Sequence, residues 1–129
     1  MSLELDIADY IAANVVDLTV DTNLYVGDEP ADSPDECVTI VGSPGYDNES
    51  GIEYRPFQVI VKNTSYVPTQ ELAYDVYDQL KNKPGFPSTI EGVFYCEVVN
   101  SPFPLQRDAR GRWVFSMNFL LRMLKPDES

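Results

Sequence analysis

From Gly111 to Leu124 large apolar side chains fall on alternate positions. Trp113, Phe115, Met117, Phe119, Leu121 and Met123 share one side, and Val114, Ser116, Asn118, Leu120, Arg122 and Leu124 the other. Successive side chains of a strand point to opposite faces, so this alternation predicts a β-strand with one face beneath a large apolar layer. A helix would spread the same side chains around its circumference. Ser116, Asn118 and Arg122 on the second side predict solvent or a partner subunit there.

The rest of the chain supplies what covers that strand. Leu3 to Leu18 reads as a helix with Ser2 as its cap, acidic Glu4 and Asp6 in the first turn, and Leu3, Ile7, Ile11 and Val15 in one apolar stripe. Asn23 to Val26 is a short strand, followed by the acidic, proline-containing loop of residues 28–36, expected to be mobile. Cys37–Gly42 and Arg55–Lys62 read as two strands of a long hairpin. A second helix opens at Pro68 or Thr69 and runs to about Asn82, with Leu72, Val76 and Leu80 as its stripe and Pro84-Gly85 as its stop. Gly92–Val99 is a fourth strand, and residues 101–112 form a hairpin connection to the final one.

The order α-β-β-β-α-β-β predicts an α+β fold, a mostly antiparallel sheet of about five strands with two helices packed on one face. The 129 residues fit a single domain, 1–129, with a frayed tail at 126–129, and 43% hydrophobic residues suffice for a core. No apolar run is long enough to span a bilayer and no secretory leader opens the chain, which points to a soluble protein of a cytoplasm.

The chain contains no histidine, which removes Ser-His-Asp and Cys-His chemistry and histidine-ligated zinc. Cys37 and Cys96 sit in strand-like surroundings and read as small buried apolar residues. Asp28, Glu29, Asp32, Asp35 and Glu36 lack the spacing and central glycine of a calcium loop, and no apolar shell around them would raise a carboxylate into the acid–base range. GSPG at 42–45 has no Walker lysine, and the sequons at Asn48 and Asn63 lack a secretory context, so these are a turn and two chance matches. The reading is therefore of no catalytic residue, no cofactor and no metal.

Charge is divided unevenly. Thirteen acids and no Lys or Arg precede Arg55, so the net charge of −12 is −13 from the first 54 residues and +1 from the rest. Such a surface repels nucleic acid backbones, and Trp113, Phe115 and Phe119 fall in register with Met117 and Leu121 as a core face does rather than a base-stacking platform. Arg107, Arg110 and Arg112 lie within six residues, just after Phe103, Pro104 and Leu105. Exposed apolar residues beside arginines are the composition of an interface core. Phe103, Leu105, Arg107, Arg110 and Arg112 are the candidate contacts, and the acidic half of a neighbouring copy is a natural counterpart.

The element order, the strand RPFQVIVKN, the helix QELAYDVYDQL and the closing GRWVFSMNFLLRM together resemble the minor capsid or tail-terminator proteins of long-tailed bacteriophages. The sharpest marks are Gly111, Arg112, Phe115, Ser116, Asn118 and Phe119; the acidic loop 28–36 is a departure. The resemblance implies a virion structural subunit assembled in the host cytoplasm, forming a six-membered ring that caps the tail tube and meets the head connector. Tail-tube and head-connector proteins would then be its partners, with the acidic loop facing the pore or a partner. Two other classes remain open: an acidic DNA mimic that inhibits a nucleic-acid-binding protein, and a small carboxylate enzyme.

Overall fold

The computed structural model describes residues 3–47, 51–81, 83–84 and 93–124. The expected Ser2 cap, the Asn48 sequon, the Asn82 and Gly85 helix end, Gly92 and the tail at 126–129 lie outside them. In chain order the elements are α1 (Leu3–Asn14), β1 (Leu24–Val26), β2 (Cys37–Gly42), β3 (Tyr46–Asp47), β4 (Ile52–Asn63), α2 (Tyr66–Leu80), β5 (Lys83–Pro84), β6 (Val93–Pro104) and β7 (Trp113–Leu124). The seven strands join one sheet in the order β1-β2-β4-β7-β6-β5, with the two-residue β3 added on β4. The β1–β2 pair is parallel and the other pairs are antiparallel, so the fold is α+β with a mostly antiparallel sheet.

The closing strand lies in the interior of that sheet. β7 pairs with β4 from Asn63↔Trp113 to Ile52↔Leu124 and with β6 on its other side. Register carries its alternation across the neighbours: Ile40, Val59 and Met117 form one row, and Val38, Val61 and Phe115 the next. Phe57 stacks on Phe119 at 5.2 Å between centroids. All these side chains are buried, and both helices cover the same face, α1 with Ile7, Ala8 and Ile11, α2 with Leu72, Ala73, Val76 and Leu80. Burying one side of each strand under two apolar helix stripes is what both periodicities require.

Element ends differ from the sequence reading where side-chain chemistry intervenes. α1 stops at Asn14 rather than Leu18, and Asp17 takes a left-handed φ of 69°, which a short polar side chain tolerates. Asn23 ties that turn, accepting from Thr19 N at 2.8 Å and donating to Asp17 O at 2.7 Å. α2 begins two residues before Pro68, which sits in the first turn, where a missing N–H costs no hydrogen bond.

β6 continues through Pro102 and Pro104, beyond the expected end at Val99. Among the described residues β5 pairs only with Tyr95 and Cys96, so the later part of β6 is a sheet edge, where a proline breaks no ladder. Register shifts between Val98 and Asn100 and between Asn100 and Phe103 accommodate the bends.

The second face is only partly open to solvent. Ser116 is fully buried and its Oγ accepts from Gln58 Nε2 at 2.7 Å, while Asn118 Nδ2 donates to Asn100 Oδ1 at 2.9 Å. Arg122 pairs with Glu97 further along.

Candidate functional site

The β6–β7 connection and the acidic loop, adjacent to nothing in common along the chain, meet at one end of the second face. The connection closes as a tight turn. Asp108 Oδ1 accepts from the backbone N–H of Arg110 at 3.0 Å and of Arg112 at 2.9 Å, and Gly111 supplies the left-handed φ of 78° that the turn needs. That turn throws the Arg112 side chain back over the sheet.

Arg112 is 2% exposed, a burial that requires charge partners. Its Nη2 lies 2.6 Å from Glu29 Oε2 and 2.8 Å from Asp108 Oδ2, and its Nε donates to Asp108 Oδ2 at 2.8 Å. Its Nη1 donates to Pro34 O at 2.9 Å and to Ser33 Oγ at 3.3 Å. Lys62, projecting from β4, joins at 2.8 Å from Glu29 Oε1, so two cations balance two carboxylates. The buried Ser33 donates to Glu29 Oε2 at 2.5 Å.

Burial pushes the Glu29 carboxyl up, but hydrogen bonds from Lys62, Ser33 and Arg112 outweigh it and hold the group down at about 2. Burial also acts against Asp108 and Arg112; hydrogen bonds from Arg112 outweigh it at Asp108 and lower that group, and hydrogen bonds to Glu29 and then Asp108 outweigh it at Arg112 and raise that one. The cluster is thus held ionised, which suits a structural clasp and leaves no group poised to exchange a proton near neutral pH.

The acidic loop, expected to be mobile, is therefore tied to its own sheet by these contacts. Arg110 reaches it too, donating to Ser33 O at 2.8 Å and pairing with Asp35 Oδ1 at 2.9 Å. Glu36 accepts from Asn63 Nδ2 at 2.9 Å. Asp28 and Asp32 remain exposed. Of the residues singled out for contact with a neighbouring copy, Arg112 is enclosed within its own chain and Arg110 is engaged there. Phe103 and Leu105 stay exposed, at 40% and 42%, and the Arg107 guanidinium lies 4.3 Å from the centre of the Trp113 ring.

Ser33, Lys62 and Asp108 were not singled out from the sequence. Asp108 two residues before Arg110 and three before Gly111 is a turn signal that would have located the clasp's hinge.

Both cysteines are buried free thiols; burial raises Cys37 and pushes Cys96 to about 12, away from the reactive thiolate. Among the described residues no three acidic or cysteine side chains converge as metal ligands would, and no helix is long and apolar enough to cross a membrane.

A family model described as bacteriophage tail terminator protein matches residues 10–124, nearly the whole chain. The chain belongs to the bacteriophage tail terminator family. This tail terminator is accordingly a virion structural protein, from a family of tail components and not of enzymes. A solved chain from the virion of a native gene transfer agent particle superposes with a TM-score of 0.67 over 95% of each chain at 12% identity, a likeness of fold. No curated protein sequence matches the tail terminator.

Proposed function

We propose that this tail terminator forms a ring, a hexamer, on the head-proximal end of the tail tube, assembled in the host cytoplasm, where it stops tube growth and offers a surface to the head connector. The observation that carries the reading is the family match over residues 10–124, joined to a fold whose polar groups are organised for packing, not for reaction. The acidic N-terminal half suits a lining that lets DNA pass by like-charge repulsion.

The rival reading, an acidic mimic of DNA, needs the loop carboxylates free in a phosphate-like row. Glu29 is bound by Lys62 and Arg112, and Asp35 by Arg110, which argues against it.

The test is sedimentation velocity and native mass spectrometry of the chain alone and with purified tail tubes, followed by negative-stain imaging of tube ends. The expected result is a six-subunit species, free or at one end of each tube. A chain that stays monomeric and leaves tube ends bare would overturn the reading.

A further inference from the structure

The structure points to a specific surface by which one copy holds the next, and this inference rests on the ring reading above. We infer that the corner carrying Arg107 docks into the acidic groove between the C-terminal ends of α1 and α2 of a second copy.

The corner is apolar and cationic at once. Val99, at a bulge of β6, is 59% exposed, and Phe103 and Leu105 are each about two-fifths exposed. Arg107 lies on Trp113, and no carboxylate among the described residues pairs with it, whereas Lys62, Lys81, Arg110, Arg112 and Arg122 all have one. Pro102 and Pro104 remove donors from this edge, so another strand cannot extend the ladder and contact must come through side chains.

The groove, about 320 Å³, is lined by Asn14, Val15, Val16, Asp75, Asp78 and Gln79. Val16 is 82% exposed there, Asp75 is exposed without a partner among the described residues, and Asp17 follows Val16 directly. Asp78 is paired with Lys81 at 3.2 Å, so the open carboxylate beside exposed Val16 is that of Asp75, and the two together are the chemical complement of exposed apolar residues beside an arginine.

The two surfaces cannot meet within one chain. Trp113, beneath Arg107, touches Tyr66 at the start of α2, with ring centroids 5.0 Å apart, and the groove lies at the far end of that helix. Asp75 to Gln79 lie nine to thirteen residues beyond Tyr66, which at about 1.5 Å each is roughly 14–20 Å along the helix. A surface that meets a different surface of its neighbour is heterologous, the kind of contact that closes into a ring.

The experiment compares the wild-type chain, Arg107→Glu, Asp75→Arg and the double variant by native mass spectrometry and sedimentation, with and without tail tubes. Both positions are exposed, so the thermal midpoints should match. Each single variant should associate at least about tenfold more weakly, and the double variant should recover. Wild-type rings that persist in both single variants, or a double variant no better than either, overturn this surface and leave the ring reading standing. A wild-type chain that never associates, alone or on tubes, overturns both.

Discussion

Arg112 and Glu29 are 83 positions apart in the chain and 2.6 Å apart in the fold. Their ion pair joins the connection before the last strand to the acidic loop before the second. Asp108 and Lys62 complete a four-charge clasp across one end of the second face of the sheet. The arginine that sequence composition assigned to a neighbouring copy is instead the residue that fastens this chain's own loop.

Arg112→Ala should lower the unfolding free energy by about 3–5 kcal/mol, because it leaves Glu29 and Asp108 with only Lys62 for compensation in a largely desolvated site. Arg112→Lys should recover only part of the loss, since a point charge cannot satisfy Glu29, Asp108 and Pro34 O together. Urea unfolding monitored by Trp113 fluorescence measures both. An Arg112→Ala chain within 1 kcal/mol of wild type would contradict the clasp.

Acid should loosen the same clasp, with a definite sign. The folded-state pKa values of Glu29 and Asp108 lie below their ordinary values, so their contribution is fully present above the ordinary carboxylate range and is lost as pH falls through the folded values. For Glu29, held near 2 against 4.5, the loss accumulates between about pH 5 and pH 2 and amounts to about 3 kcal/mol at most. Denaturation midpoints measured from pH 7 to pH 2.5 should fall in that window. Glu29→Gln should be less stable at pH 7 and should flatten the slope, and an unchanged slope would remove Glu29 from the account.

The two sides of β7 should respond differently to truncation. Phe119→Ala removes a ring buried against Phe57 and should cost about 3–5 kcal/mol. Asn118→Ala, one residue away on the other face, loses a single half-buried hydrogen bond to Asn100 and should cost about 1 kcal/mol. Thermal melts of the two variants separate these values, and similar costs would mean that the second face is packed as tightly as the first.

Much of the architecture was legible because it rests on local periodicity. The alternation from Trp113 to Met123 and the four-residue spacing of Leu72, Val76 and Leu80 are properties of neighbouring residues, and the buried faces follow from them. The end of β6 was not legible, because Pro102 and Pro104 read as strand breakers unless the strand is known to be an edge. The parallel pairing of β1 with β2 was equally hidden: three residues, Leu24–Val26, carry no signal of direction.

The interface residues show the division most plainly. Sequence alone marked Arg107, Arg110 and Arg112 as equivalent, since nearness along the chain and composition are all it offers. The fold separates them: Arg112 is buried among carboxylates, Arg110 is tied to Asp35, and Arg107 is left on Trp113 facing outward. The sequence by itself determined which elements form, which sides they bury and how charge divides between the halves, because backbone geometry converts spacing directly into faces. Only the tertiary structure decided which charges meet, because pairing Glu29 with Arg112 depends on two loops brought together by the packing of the whole sheet, and no local pattern encodes a contact at that separation.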